Sequence, residues 1–515
     1  MVNVGRATLT AAAFRRGVSR LKSRLQPVLA APPETLVLAV FAVSRVLYFM
    51  AGLRFDDRPV GGFWQMIDPA LMRTDLLRSM WYLHMQPPGY NFAVGLIVKL
   101  FPVHYAGVLW ATQIATGAAI AVCLFRLICW FGVPVSWACL LASLFIVSPA
   151  CALFENDATY EYPILLLLLL SALTLARFCE SFARRWALAF FGCLMALALL
   201  RNTFHIVYLV AVAAGLLWFL PAARRAILIG VVPALLIVGG IYVKNGLLFG
   251  RFVSSTWTGM ATGVTTSSHL TEQEASDLVD RGIVSPFADI DPFSDLSEYD
   301  PYIHRPPKTG IPILDQDSTS TGHANFNNLA YLQIHDRYLR DSIAIWRHYP
   351  IAYGRSLAIV WFSYFLPASD LTYFNYAPAR VKTWEHVFNA VMFGQMRQTE
   401  DRKNFLQLKA AGHKFSRVLY VGVFLLVLLP SAFVWGMAQL FVVRCRERWT
   451  RAQVAVLGFM MFTIVFVTMV STMLSSFEGN RYRFPMDGFF IVLVGGLATG
   501  RLVRESRPEA NRTIV

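Results

Sequence analysis

Apolar runs of about twenty residues alternate with short polar stretches along this chain. Residues 33–52, 106–126, 131–150, 161–178, 186–200, 204–221, 226–244, 417–441, 453–475 and 486–502 are each predominantly apolar. A run of that length crosses the hydrocarbon core of a bilayer as a helix. In lipid the backbone must satisfy its own hydrogen bonds, which makes helix the default conformation. The pattern predicts an all-α polytopic membrane protein with about ten transmembrane helices. Residues 91–101 are too short to cross, and residues 351–369 carry Arg355. Both segments read as interfacial or re-entrant helices.

Composition agrees with this reading. The 515 residues are 56% hydrophobic and only 15% charged, where a soluble domain carries about 25% charge. The net charge of +15 raises the question of a nucleic-acid partner, and its placement answers it. Residues 1–30 hold Arg6, Arg15, Arg16, Arg20, Lys22 and Arg24 and no acid. Further basic clusters flank apolar runs at Arg184–Arg185, Arg224–Arg225, Arg444–Arg451 and Arg501–Arg507. This is the positive-inside pattern, and anionic lipid headgroups are sufficient partners for it. No nucleic acid is implied. The seven cysteines lack metal-ligand spacing, and the first apolar run reads as a retained anchor behind a basic head.

Ten spans place both termini in the cytoplasm. The chain then divides into a basic segment 1–30, a transmembrane module 31–244, an outer region 245–416, C-terminal helices 417–503 and a tail 504–515. Loops 53–105 and 151–160, the turn from Arg201 to His205 and the stretch 477–487 share the outer side with 245–416. Polar and aromatic residues concentrate there.

Four constellations on that side carry chemistry. The first loop puts Asp56 and Asp57 directly after the first span, and ends in YLHMQPPGYN with His84 and Gln86. Asp68 precedes Pro69 and is either the N-cap of a short helix or, with Asp56 and Asp57, a candidate general base. The second loop holds Glu155, Asn156, Asp157 and Glu161. These acids are solvated, bind sugar hydroxyls, or hold Mg²⁺ or Mn²⁺ through Glu155 and Asp157. Arg201 and His205 stand at the outer end of a helical hairpin, where an arginine can also simply snorkel.

The fourth constellation is EGNRYRFPMD, with Asn480, Arg481, Tyr482 and Arg483. Arginines on an outer face run against the charge rule. A guanidinium presents parallel donors to phosphate oxygens. Pro485 suits the first turn of the last helix, whose N-terminal amides would add positive potential. Interface anchoring is the structural alternative. In the outer region, Asp289, Asp291, Asp295, Glu298 and Asp300 lack the spacing of a calcium loop. That region reads as a cap over the site.

Acids to activate a hydroxyl and arginines to hold a phosphate, at a membrane boundary, suit transfer of a group from a lipid phosphate. No nucleotide-binding glycine motif is present.

With the acid-bearing first loop ending in YLHMQPPGYN, the second loop FENDATYEYP and the terminal EGNRYRFPMD, the chain resembles the GT-C superfamily of membrane glycosyltransferases. That group includes protein O-mannosyltransferases and the enzyme that adds aminoarabinose to lipid A. The resemblance covers 31–205 and 417–503. It implies a GT-C-like bundle, a polyprenyl-phosphate sugar donor and inverting transfer to a hydroxyl acceptor on a glycan, lipid or protein. It implies a first-loop acid as base, here Asp57, Asp56 or Asp68, and a second-loop acid, here Asp157 beside Glu155. It implies Arg481 and Arg483 as donor-phosphate ligands and a site on the periplasmic or luminal face, here that of a bacterial inner membrane. Gly479 splits the acid–asparagine pair of the family signature. A transporter or flippase of a polyprenyl-linked glycan, or a non-catalytic assembly subunit, is the alternative. A transporter predicts mid-span charges and inverted repeats, and no repeat is visible here.

Overall fold

The computed structural model describes residues 32–267, 270–374, 376–397, 421–442, 449–474 and 478–500. The basic segment 1–30, Arg444, Arg446, Arg448 and the tail from Arg501 onward lie outside the described residues.

The principal helices are, in chain order, α1 (Pro33–Met50), α2 (Pro88–Leu100), α3 (Tyr105–Trp130), α4 (Val135–Ile146), α5 (Pro149–Glu155), α6 (Glu161–Ser181), α7 (Arg184–Leu200), α8 (Ile206–Phe219) and α9 (Arg224–Phe249). They continue with α10 (Ala330–His348), α11 (Pro350–Ser363), α12 (Ala379–Phe393), α13 (Val423–Phe441), α14 (Arg451–Leu474) and α15 (Gly479–Thr499). Shorter helices fill the first loop and the region between α9 and α10.

The chain is a multi-pass, largely α-helical membrane protein, but it does not form the bundle of about ten spans. Among the described residues, six helices are long and apolar enough to cross: α1, α3, α6, Pro221–Phe249, α13 and α14. A seventh is obtained if α4 and α5, bent by 56°, count as one span. The physical reason is length and charge. Helix α7 has 17 residues and α8 has 14. Helix α15 carries Arg481, Arg483 and Asp487 in its first half. Its apolar remainder from Gly488 rises only about 18 Å, against a core of about 30 Å. Helices α2, with 13 residues, and α11, with 14, are also too short to cross.

Helix α6 is the hub. It packs on α3, α7, α14 and α15, burying Leu165, Leu168, Leu169, Ala172 and Leu175. That three-and-four spacing is one helix face. The chain runs up and down, so alternate helix ends gather at one end of the bundle. The C-terminal ends of α1, α7, α9 and α14 meet there with the N-terminal ends of α3, α6, α8 and α15. The region 250–374 covers that end. Its helix Thr258–Thr265 lies between α10 and α14. Helix α10 is amphipathic and buries Tyr331, Ile334, His335, Tyr338 and Ile345.

Candidate active site

The two acid-bearing loops are joined by backbone. Asp56 N–H donates to Asn156 O at 2.7 Å and Ala158 N–H donates to Asp56 O at 3.2 Å. The result is an isolated parallel bridge between Asp56 and Asp157. It sets both acids on the wall of a cavity of about 1650 Å³ under the cap. Asp57, Arg58, Arg73, Gln86, Glu478, Arg481 and Tyr482 line the same cavity. Its apolar side is a stripe on α14, Phe466, Val470 and Leu474, facing Val207, Ala261 and Val264.

Three of the candidate acids differ sharply in how they are held. Asp157 is 1% exposed, and its Oδ1 has no hydrogen-bond partner among the described residues. Burial first, and Asp56 and Glu161 next, hold its carboxyl well above the ordinary aspartate range, because each disfavours the charged form. Asp56 accepts a fork from Arg58, with Nε at 2.8 Å and Nη2 at 2.7 Å. Asp57 accepts from the Tyr105 hydroxyl at 2.7 Å.

Asp68 is an N-cap. Its Oδ1 accepts from Ala70 N–H at 2.8 Å and its Oδ2 from Ser320 N–H at 2.8 Å, and the Ser320 hydroxyl adds a further bond. It does not line the cavity. Both oxygens tie the first loop to the cap, which is the structural role of Asp68.

Glu155 faces away from the cavity too. It is fully buried and takes a fork from Arg45, Nε at 2.7 Å and Nη2 at 2.8 Å, plus the Tyr162 hydroxyl at 2.7 Å. Glu155 and Asp157 therefore form no joint cation site. Among the described residues, no group of three or more His, Cys, Asp or Glu side chains stands together as metal ligands do. Gly117 of α3 makes room for this lock: a Cβ there would lie 2.2 Å from Glu155 Oε2.

The two terminal arginines separate. Helix α15 begins at Gly479, not near Pro485, which lies inside it. Residues two apart on a helix differ by about 200°, so Arg481 and Arg483 face opposite ways. Arg481 lines the cavity. Its Nε donates to Glu161 Oε1 at 2.6 Å, Nη1 to Glu478 Oε2 at 3.1 Å and Nη2 to the Tyr160 hydroxyl at 3.2 Å. Arg483 points into protein. Nη1 donates to the carbonyls of Leu366, at 2.8 Å, and Tyr364, and Nε to Asp487 at 3.0 Å. Arg483 is thus a splint between α15 and the turn after α11, not a cavity residue. Asn480 has the same job, donating to Pro367 O at 2.9 Å and Asp370 O at 3.0 Å. The first amides of α15 are also occupied, Gly479 N–H by Ser363 Oγ at 2.9 Å and Arg481 N–H by Asn480 Oδ1 at 3.0 Å.

Arg201 does not snorkel. It is 3% exposed, donates to Glu161 Oε1 at 3.3 Å and stacks 3.9 Å over the Tyr482 ring. It lies behind the wall rather than on it. His84 is a clamp: Nε2 donates to Asn327 O at 2.9 Å, so Nδ1 accepts from the Thr256 hydroxyl at 2.9 Å. Burial pushes its pKa down to about 3, which keeps the ring neutral. Gln86, two residues on, does line the cavity.

Arg73, Trp257 and Arg45 carry weight that the sequence did not single out. Arg73 is on the cavity wall with no ion-pair partner among the described residues. Nothing in the sequence separates it from Arg54, Arg58 and Arg78. Arg45 had a signal, a lone cation inside the first apolar run. No protein family, no curated protein and no solved structure matches the chain.

Proposed function

We propose that this protein is a glycosyltransferase that moves a sugar from a polyprenyl-phosphate donor to a hydroxyl acceptor, with inversion, at the periplasmic face of a bacterial inner membrane. The observation that carries the reading is Asp157: a buried carboxylate with one unpartnered oxygen on the wall of a cavity that is polar at one side and apolar at the other. A carboxyl of raised proton affinity in such a place is suited to general-base work.

In this reading Asp157 takes the proton of the acceptor hydroxyl. The acceptor oxygen attacks the anomeric carbon, and the bond from that carbon to the phosphate oxygen breaks. The polyprenyl phosphate leaves with the bonding electrons. Arg73, which has no ion-pair partner among the described residues, and Arg481, which also lines the cavity, neutralise that phosphate. The Phe466–Val470–Leu474 stripe takes the first prenyl units. Asp56 keeps the proton affinity of Asp157 high through its charge, and Asp57 with Tyr105 completes the acidic wall. The resemblance of the loop motifs to GT-C enzymes supports transfer from a lipid phosphate, but it assigns the base to the first loop, where this reading assigns it to Asp157.

The test is turnover by the purified protein in detergent. Labelled polyprenyl-phosphate pentoses and hexoses are offered with glycan, lipid and peptide acceptors. Transfer, or slow release of sugar to water, is expected in the absence of any membrane gradient. Donor binding without transfer or release under any pairing would sink the reading.

A further inference from the structure

Two segments run side by side along one wall of the cavity. Thr256 N–H donates to His84 O at 3.0 Å, and the Ser255 hydroxyl donates to Met85 O at 2.5 Å. The His84 clamp on Asn327 holds the pair from behind. This register sets Gln86 opposite Ser254, and Gln86, Ser254 and Trp257 all line the cavity. Gln86 and Trp257 are 5% and 7% exposed, respectively. Gln86 Nε2 and Trp257 Nε1 have no hydrogen-bond partner among the described residues. A buried tryptophan N–H normally finds an acceptor, and an orphaned buried donor needs an explanation.

The same wall carries an aromatic platform. Trp64 stacks on Phe293 with centroids 5.4 Å apart, and Trp257 meets that ring edge-on at 4.8 Å. Trp64 nevertheless leaves 53% of its surface exposed. Phe293 holds its ring between the two tryptophans from a backbone φ of +71°. A bulky residue rarely adopts that conformation, and such positions cluster where a ligand is held.

We infer that this wall is the acceptor subsite and that the acceptor is a neutral saccharide. The inference rests on the transferase reading above for the word acceptor, and on the wall alone for the word saccharide. A sugar ring presents C–H faces that pack on aromatic rings. Around its edge it presents hydroxyl oxygens that accept hydrogen bonds. The lining offers both complements: the rings of Trp64 and Trp257, and the Gln86 and Trp257 side chains, whose buried N–H groups have no acceptor among the described residues. Ser254, Thr258 and Thr321 add hydroxyl-bearing side chains to the lining. Ligand sites combine apolar and aromatic walls with a few convergent polar groups in just this way. An extended peptide favours a free sheet edge, and the described residues form isolated bridges only.

The experiment is direct titration of the full-length protein with methyl glycosides and disaccharides of neutral hexoses and pentoses, followed by calorimetry. At least one is expected to bind the wild type. Trp257→Phe keeps the ring and removes the N–H, and Gln86→Ala removes the other donor. Each is expected to weaken that binding about tenfold. Trp64→Ala strips the exposed platform without touching the core and is expected to weaken it as well. Thermal unfolding of each variant separates lost binding from lost fold. The inference falls if no saccharide binds the wild type, if all three variants bind it unchanged, or if hydroxyl-bearing peptides bind this wall instead. Donor turnover by the wild type is read separately. Its absence would remove the transferase reading, while the titration still decides the saccharide subsite.

Discussion

Asp56 and Asp157 lie 101 positions apart in the chain and share one backbone bridge, with Asp56 N–H on Asn156 O and Ala158 N–H on Asp56 O. Two carboxylates are thereby held together where charge repulsion alone would part them. The arrangement divides their labour. Asp56 is paired with the Arg58 fork, while Asp157 is buried and its Oδ1 has no partner among the described residues.

Asp157→Asn is expected to lower transfer by about 10²- to 10⁴-fold, the usual worth of a general base. Its effect on stability has the opposite sign. A carboxyl whose folded pKa is raised contributes stability that is present below the ordinary aspartate value of about 3.9. That contribution is lost as pH rises through the folded value. At neutral pH the asparagine variant should therefore unfold at a higher temperature than wild type. Asp56→Asn removes a neighbouring charge that raises the Asp157 pKa. The acid limb of the turnover–pH profile should move to lower pH. A limb that stays put would dissociate Asp157 from the base.

Arg45 and Glu155 form a buried pair inside the bundle. Removing one partner of such a pair costs about 3–5 kcal/mol, because the other charge is left buried alone. Arg45→Ala and Glu155→Gln should each lower the unfolding temperature strongly. Affinity of folded Glu155→Gln for polyprenyl phosphate should equal that of wild type. A selective loss of affinity would return Glu155 to the binding site.

Arg73 and Arg483 are expected to fail in different ways. Charge-assisted bonds contribute about 1.5–3 kcal/mol. Arg73→Ala should then weaken polyprenyl-phosphate binding by about 10- to 100-fold with little change in unfolding temperature. Arg483→Ala leaves the Leu366 and Tyr364 carbonyls without their donor. It should cost stability by about 1–3 kcal/mol per orphaned group. Unfolding and binding curves on the two variants check both statements.

His84 supplies a pH signature. Its folded pKa is pushed down to about 3, so its stabilisation is present above the ordinary histidine value of about 6.5. It is lost as pH falls from there toward 3. His335, whose Nδ1 accepts from Gly259 N–H at 2.9 Å, is pushed down to about 4 by burial and acts in the same window. His84→Gln should flatten the fall of unfolding temperature between pH 6.5 and 4 by part, and the double variant by more. An unchanged slope would mean that neither ring is held neutral.

Hydrophobic patterning made the membrane helices legible because apolar length is a local property. It overcounted them for the same reason. Residues 186–200 and 204–221 are apolar runs, yet they fold as helices of 17 and 14 residues. Composition cannot register where a helix ends. The acids and arginines between the apolar runs were legible as a group that gathers at one end of the bundle. Their individual roles were not, because those depend on partners far away in sequence. Asp68 finds Ser320, Glu155 finds Arg45, and Arg483 finds the carbonyls after α11. The pairing of Arg481 with Arg483 set the start of the last helix near Pro485, and the helix from Gly479 puts the two arginines back to back. Trp257 and Arg73 gave no local signal at all. Their significance lies in having no partner among the described residues, which only the packed chain reveals.

Gly479 has a consequence for how this protein tolerates mutation. A Cβ there would lie 2.6 Å from Tyr364 N and 2.7 Å from Ser363 Oγ. The nearer obstacle is main chain, which no side-chain change at 363 or 364 can remove. In a genetic selection, revertants of Gly479→Ala should come back overwhelmingly as glycine. Second-site suppressors, where found, should fall in the flanks of the turn, at 360–362 or 366–368. The residue between Glu478 and Asn480 is thus a position with no alternative spelling.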